Sequence, residues 1–298
     1  MSEGGRVGGK AAGARGQRPV THRHARAALP HDEWSYVICC VQRTGSWLLA
    51  HTLADTGYVG PPSDYFEDAE RESHTRKWGL PAGDLAAYVR AVREKATTPN
   101  GVLGSKLMWN DFDSLRSSLR PPARTDAGLE FMRTTLANPQ FVWLRRADKV
   151  RQGISWWRAA VTGQWALRPG QEAGQPAPDV EQMVQFARLA EQWEDGWRQW
   201  FASTGIQPYE VAYEDLARDR LAVANGVLEF LCQPQLDADT LPPVRYRKQA
   251  DSLTERYVHL VRSAMSGAES ECYHPAAANP GGARSKENTG ARSEIRSD

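Results

Sequence analysis

The sequence contains few cysteines and no long apolar segment. None of its 298 residues lies in an apolar run approaching the roughly 18–20 residues that span a membrane. The four cysteines, Cys39, Cys40, Cys232 and Cys272, form no CxxC pair, and the adjacent two lie in an apolar stretch where thiols act as small apolar side chains. The N-terminus also lacks the apolar core of a secretory signal. We therefore expect a cytoplasmic protein without a membrane span.

An excess of charge of one sign is also missing. The formal net charge is +1 at pH 7, and residues 1–30 carry six Lys/Arg against one acid, so the rest of the chain is mildly acidic. A mildly acidic domain is not expected to bind nucleic acid, because the phosphates of nucleic acid select basic surfaces. Metal-binding histidine spacing is absent apart from His22 and His24 in the basic arm, so we predict no metal.

The composition predicts one folded domain between two disordered segments. Residues 1–30 and 276–298 are poor in large apolar side chains, which predicts a disordered basic arm and a disordered tail around a domain at 31–275. Helical patterns separate four predicted strands, and this alternation predicts an α/β fold with a parallel β-sheet flanked by helices. Ligands of such sheets bind at the carboxyl ends of the strands. The predicted strands are Tyr36–Val41, Gly101–Trp109, Gln140–Arg145 and Pro208–Tyr213.

The first predicted strand runs into the polar turn "QRTGS", residues 42–46, and then into an apolar helix. The free N–H groups at the start of that helix favour a phosphate or a sulfate. Gly45 permits close backbone approach, and Arg43 supplies a fixed positive charge. Thr44 and Ser46 offer hydroxyls. The lysine and the earlier glycine of GxxxxGK[ST] are absent, and an ordinary turn with Ser46 as the helix N-cap explains these residues equally well.

A second basic turn follows the third predicted strand. In "RRADKVRQGISWW", Arg146 stands at the strand end and Ser155 lies about two turns along the next helix. A guanidinium and a hydroxyl so placed can hold one phosphate from two sides. The competing interpretation is a solvated basic surface, which most charge runs are.

Several segments together resemble the bacterial trehalose 2-sulfotransferase family. They are "CVQRTGSWLL…TGYVGPPSDYF", "GSKLMWN", "RRADKVRQGISWWRAAVTGQW" and "EDGWRQWF", and the resemblance extends from about Tyr36 to Tyr257. It implies a P-loop nucleotide-kinase-like sulfotransferase fold. It also implies transfer of a sulfuryl group from 3′-phosphoadenosine 5′-phosphosulfate to a sugar hydroxyl, with 3′-phosphoadenosine 5′-phosphate as the second product. The family forms dimers, which implies a homodimer, although the sequence carries no interface signal.

The resemblance assigns the donor site to two segments and a later lysine. Residues 42–46 match the 5′-phosphosulfate loop, and Arg146 with Ser155 matches the 3′-phosphate pair. Lys248 matches a basic C-terminal segment that closes over this phosphate. The donor has no γ-phosphate and needs no Mg²⁺ bridge, which explains the missing lysine. Arg43, and after it Lys106, is the candidate for stabilising the leaving phosphate. The donor-binding set is therefore Gln42, Arg43, Thr44, Gly45, Ser46, Trp47, Arg146, Ser155 and Lys248.

The resemblance also places an acceptor site. The family has a glutamate as the proposed general base where this chain has Asp64, followed by two aromatics, here Tyr65 and Phe66. Asp64 is therefore the candidate base, with Glu67 as the alternative, although a turn cap explains Asp64 without the resemblance. Trp47 is a departure, because the family has a small hydroxyl residue there.

Trp109 and Asn110 follow the second predicted strand, where an acceptor could stack on the indole and hydrogen bond to the amide. A tryptophan at a strand end is, however, more often a core residue. The leading hypothesis is an enzyme acting on a hydroxyl of a sugar or of a glycosylated or secondary metabolite. The alternatives are an ATP-dependent small-molecule kinase of the same fold and a non-catalytic nucleotide-binding protein.

Overall fold

The structure, a computed structural model, describes residues 34–119, 126–137, 139–167, 169–238, 240–244 and 250–268. The predicted basic arm (1–30) and tail (276–298) lie outside these residues, so the domain limits at 31 and 275 stay predictions. Lys248 also lies outside the described residues.

Four parallel strands form one sheet in the order β2-β1-β3-β4. They are β1 (Trp34–Cys40), β2 (Val102–Met108), β3 (Pro139–Arg145) and β4 (Tyr209–Ala212). The predicted parallel sheet is confirmed, and each predicted strand is found within two residues of its expected ends. The fourth is shorter than predicted because Tyr213 already begins a helix.

Ten helices in the described part of the chain connect and cover these strands. They are α1 (Ser46–Asp55), α2 (Asp68–Trp78), α3 (Leu85–Ala96), α4 (Trp109–Ser118), α5 (Ala127–Thr135), α6 (Lys149–Thr162), α7 (Val180–Thr204), α8 (Tyr213–Arg218), α9 (Arg220–Phe230) and α10 (Ser252–Ala268). None of the helices so described is both long and apolar enough to cross a membrane.

Both faces of the sheet are covered, which explains why β1 is apolar without alternation. Val37 and Cys39 pack into a core with α3, α4, α5 and α7. Ile38 and Cys40 face the opposite core, which α1 and α9 complete. Cys39 and Cys40 are free thiols with no exposed surface. The Trp197 indole of α7 donates to the carbonyl of Cys40 at 2.9 Å and so fixes α7 near the end of β1.

Candidate functional site

A cavity of about 1050 Å³ lies at the carboxyl edge of the sheet. Its walls come from the loop between β1 and α1, from α1, α6, α8 and α9, and from the start of α10. Seven of the nine predicted donor-binding residues line it, which brings both predicted anion-binding segments to one space. These seven are Gln42, Arg43, Gly45, Ser46, Trp47, Arg146 and Ser155.

The loop between β1 and α1 is shaped by two residues in the left-handed region. Arg43 has φ 64° and Gly45 has φ 85°. The first is uncommon for a residue with a Cβ and marks a constrained position. Thr44 differs from its prediction, because it is fully buried and its hydroxyl donates to the carbonyl of Val41 at 2.7 Å. Thr44 therefore stabilises the loop, while the first N–H groups of α1 are left for an anion.

Tyr213 fixes this loop against the second of the two segments predicted to bind an anion. A Cβ added at Gly45 would lie 2.5 Å from Cδ2 of Tyr213, so only glycine permits this contact. On the same ring, the guanidinium carbon of Arg146 lies 4.4 Å from the centroid, a cation–π contact. Arg146 also donates to the carbonyl of Arg43 at 3.0 Å. Tyr213 thus holds Arg146 and the loop in one geometry.

The two predicted anion-binding arginines meet here. Nε of Arg43 donates to Oγ of Ser155 at 3.0 Å, so Ser155 contacts Arg43 rather than Arg146 in this conformation. Burial, and after it the positive charge of Arg146, lowers the pKa of Arg43 to about 10. Burial likewise lowers the pKa of Arg146, whose buried Nε has no hydrogen-bond partner among the described residues. The two guanidiniums repel each other and are both partly desolvated. An anion bound between them would offset both effects, so the arrangement is suited to anion binding.

The other cations of the basic turn have structural partners. Arg145 and Lys149 form ion pairs with the buried Glu194 of α7, at 3.3 Å and 2.5 Å. Arg151 pairs with Glu255 of α10 at 2.5 Å. Three of the four basic residues therefore attach this turn to neighbouring helices, and only Arg146 is directed to the loop after β1.

Asp64 and Lys106 form a buried ion pair beside this cavity. Ser63 pairs with Ser105 of β2, and N–H of Lys106 donates to the carbonyl of Ser63 at 2.8 Å. This pairing brings Oδ2 of Asp64 within 2.6 Å of Nζ of Lys106, with the two side chains 15% and 1% exposed. Neither residue is part of the cavity lining.

A hydrogen-bonded chain connects the loop to Asp111. Gln42 donates to Oδ1 of Asn110 at 2.7 Å, and Asn110 donates to Asp111 at 2.7 Å. Asn110, a predicted acceptor contact, thus links Gln42 of the loop to Asp111. Burial raises the pKa of Asp111 to about 7, and the neighbouring carboxylates of Glu67 and Asp64 act in the same direction. Within the described residues, no group of three or more His, Cys, Asp or Glu side chains is placed to hold a metal ion.

Replacing Asp111 with asparagine should make the protein more stable than the wild type, by an amount that grows as the pH rises. In the folded protein the carboxyl of Asp111 ionises near pH 7, against 3.8 as its ordinary value. The folded state therefore holds an extra proton between these values, and wild-type stability falls as the pH rises through them. Melting temperatures of both proteins at pH 5 and pH 8 test this, and a difference independent of pH would contradict it.

The predicted aromatic acceptor contacts are placed away from the cavity. Phe66 is 2% exposed and packs edge-on against Phe131, so it is a core residue rather than an acceptor contact. Trp109 packs on Trp197 and against Gly196, which favours the core interpretation of this residue. Tyr65 remains half-buried, with its ring beside His74.

Three residues that build the site had no definite role predicted from the sequence. Tyr213 stood at the end of the fourth predicted strand, and its place at the ligand edge was the available signal. Gln152 is fully buried and donates to the carbonyl of Gln42 at 2.8 Å. The carbonyl of Trp165 accepts a hydrogen bond from Arg43, and its side chain lines the cavity. Both lie in the segment "RRADKVRQGISWWRAAVTGQW", which carries part of the family resemblance but does not single out these two residues.

Among solved structures, the chain is similar to the sulfotransferase domain of the olefin synthase of Synechococcus PCC 7002. This likeness has a TM-score of 0.46 at 12% identity and covers 79% of this chain and 94% of that domain. A sulfotransferase from Alicyclobacillus acidocaldarius matches with a TM-score of 0.45 at 13% identity, covering 80% and 95% of the two chains.

Two curated relatives are similar in sequence over most of their length. The trehalose 2-sulfotransferase of Mycobacterium tuberculosis (strain ATCC 35801 / TMC 107 / Erdman) is 31% identical over 254 residues, which are 76% of this chain and 94% of that protein. The trehalose 2-sulfotransferase of Mycolicibacterium smegmatis (strain ATCC 700084 / mc(2)155) is 30% identical, with the same two shares. The family model described as Stf0 sulphotransferase matches residues 35–263. The chain therefore belongs to the Stf0 sulphotransferase family.

Proposed function

We propose that this enzyme transfers a sulfuryl group from 3′-phosphoadenosine 5′-phosphosulfate to a hydroxyl of a sugar or of a glycosylated or secondary metabolite. The observation that carries the proposal is the meeting of Arg43 and Arg146, both largely buried, at the N-terminus of α1. A donor with anionic groups at its 3′ and 5′ positions suits two guanidiniums that lie this close together. The cavity volume of about 1050 Å³ is ample for a nucleotide.

The loop geometry and the family resemblance support the following donor contacts. The N–H groups that begin α1, together with the guanidinium of Arg43, bind the 5′-phosphosulfate. Arg146 and Ser155 bind the 3′-phosphate. Arg43 contacts both parts of the site, because its side chain reaches Ser155 while its backbone forms the loop. A cation fixed in this way neutralises the negative charge that develops on the leaving phosphate. This role then needs no metal ion.

The acceptor hydroxyl loses its proton to the carboxylate of Asp64 while its oxygen forms a bond to sulfur. The bond between sulfur and the bridging oxygen breaks, and its electron pair stays on the nucleotide phosphate, beside Arg43. The ion pair of Asp64 with Lys106 supports a change in the role of this lysine. Lys106 is better placed to orient the base than to contact the leaving phosphate.

Mass spectrometry of the products tests the proposal directly. Purified protein is incubated with pooled hydroxyl compounds, including trehalose, with and without the phosphosulfate donor. We expect a sulfated product that depends on the donor and not on added Mg²⁺. Transfer of the γ-phosphate of ATP without any transfer of sulfate would establish a kinase instead. Tight binding of 3′-phosphoadenosine 5′-phosphate without turnover of any compound would establish a nucleotide-binding protein.

The remaining expectations are part of the same proposal. The free, buried thiols of Cys39 and Cys40 are compatible with a reducing cytoplasm, where the donor nucleotide would be used. The homodimer implied by the family resemblance stays a prediction that sedimentation equilibrium can test.

A further inference from the structure

Trp47 is placed at the boundary between the donor cavity and the Asp64–Lys106 ion pair. It is the second residue of α1, directly after the anion-binding loop, and is 49% exposed. Its side chain lines the cavity. Nζ of Lys106 lies 4.6 Å from the centroid of its ring. The indole therefore borders the cavity on one side and the Asp64–Lys106 ion pair on the other.

The neighbours of Trp47 hold its ring in this position. The imidazole of His51, one helical turn later, stacks on the indole with centroids 5.4 Å apart. The ammonium of Lys106 adds a cation–π contact, which is stronger where the cation is desolvated, and Lys106 is only 1% exposed. The indole is thus a fixed wall, and Lys106 and Asp64 lie behind it, outside the cavity lining.

We propose that Trp47 determines acceptor specificity, admitting a hydroxyl at the end of a flat, apolar group, such as a phenol, and excluding an unmodified disaccharide. The inference rests on the proposed function, because the acceptor oxygen must reach both Asp64 and the donor sulfur past this ring. A phenol can stack on the indole as its hydroxyl projects toward the carboxylate. In an unmodified disaccharide each hydroxyl has polar neighbours on both rings, and these would lose water against the indole without gaining partners.

The first test compares two acceptors in three proteins. The acceptors are 2-naphthol and trehalose, and the proteins are the wild type, Trp47→Thr and Trp47→Phe. We expect the wild type to favour 2-naphthol in kcat/KM by about 10-fold or more, the scale on which an apolar pocket discriminates. Trp47→Thr should shift this ratio toward trehalose by a similar factor, whereas Trp47→Phe, which keeps a flat ring, should retain the wild-type preference.

The second test does not depend on turnover. Reductive methylation followed by peptide mass spectrometry measures the accessibility of each lysine amine. Lys106 should be protected in the wild type and become labelled in Trp47→Thr, while the exposed Lys77 is labelled equally in both. Titration of both proteins with 3′-phosphoadenosine 5′-phosphate measures how far the substitution also affects the donor side, because Trp47 lines the donor cavity.

These results separate failure of the inference from failure of the proposed function. An unchanged acceptor ratio in Trp47→Thr, or a change in nucleotide affinity alone, would overturn the role in acceptor choice. Unaltered protection of Lys106 would show that the indole does not cover the ion pair and would also overturn it. If the wild type moves sulfate to no acceptor, the proposed function itself is wrong and the acceptor role falls with it, whatever the labelling of Lys106 shows.

Discussion

Replacing Asp64 with asparagine should lower the turnover number by about 100- to 10,000-fold, the range that a placed general base contributes. The amide keeps the size of the side chain and an oxygen for Lys106, but it cannot accept the proton of the acceptor. Affinity for 3′-phosphoadenosine 5′-phosphate should stay within about threefold, because Asp64 lies outside the cavity lining. Single-turnover sulfate transfer and calorimetric titration measure the two quantities separately.

Loss of the carboxylate also leaves the buried ammonium of Lys106 without its counterion, which costs about 3–5 kcal/mol when such a pair is broken. Thermal unfolding of Asp64→Asn therefore accompanies the kinetics. The double variant Asp64→Asn/Lys106→Met removes the unpaired charge and should recover stability without recovering turnover. If it recovered turnover as well, the defect would be one of folding and Asp64 would not be the base.

Glu67→Gln is the matched control for the choice of base. Glu67 lies three residues from Asp64 and is exposed at the N-terminus of α2. We expect its amide variant to keep turnover within about threefold of the wild type, as for most surface positions. Full activity of Asp64→Asn together with an inactive Glu67→Gln would transfer the role of base to Glu67.

Replacing Arg146 with alanine should weaken binding of 3′-phosphoadenosine 5′-phosphate by about 10- to 100-fold, the loss expected from one or two hydrogen bonds to a charged group. Arg146 is the one cation of its turn that is directed to the loop after β1. It also donates to the carbonyl of Arg43, so the variant loosens that loop. Calorimetric titration at fixed ionic strength measures the effect. The melting temperature should change little, since burial of this cation is itself unfavourable.

The neighbouring Arg145 offers a matched control, because it carries the same charge one residue earlier. Its guanidinium pairs with Glu194 and Glu210 instead of facing the cavity. Arg145→Ala should therefore lower stability and leave nucleotide affinity within about threefold of the wild type. Equal losses of affinity in the two variants would mean that charge near the cavity, rather than the placement of Arg146, determines binding.

The sequence predicted the architecture well because the relevant signals are local. Apolar stretches that alternate with helical patterns specify a parallel sheet, and the strand ends found in this way differ from the structure by at most two residues. That geometry places residues 42–46 and Arg146 at one edge of the sheet. The glycine at position 45 and the cations at 43 and 146 are also readable, because anion binding demands these residue types.

The partner of each side chain depended on contacts between segments far apart in the chain. Four basic residues in one turn look equivalent in sequence, but Glu194 of α7 and Glu255 of α10 engage three of them and leave Arg146 for the site. The roles of two tryptophans likewise became distinct only through packing. Trp109 packs against α7, whereas Trp47 lies at the cavity wall.

By itself, the sequence thus determined the sheet and the polar loop at the carboxyl end of its first strand, since strand and helix patterns and backbone requirements act over a few residues. Only the tertiary structure decided that Asp64 pairs with Lys106, that Tyr213 supports Arg146, and that Trp47 lies between the cavity and this ion pair. These contacts join residues that are 42, 67 and 59 positions apart in the chain, and no local pattern encodes which distant side chains the packing of the core brings together.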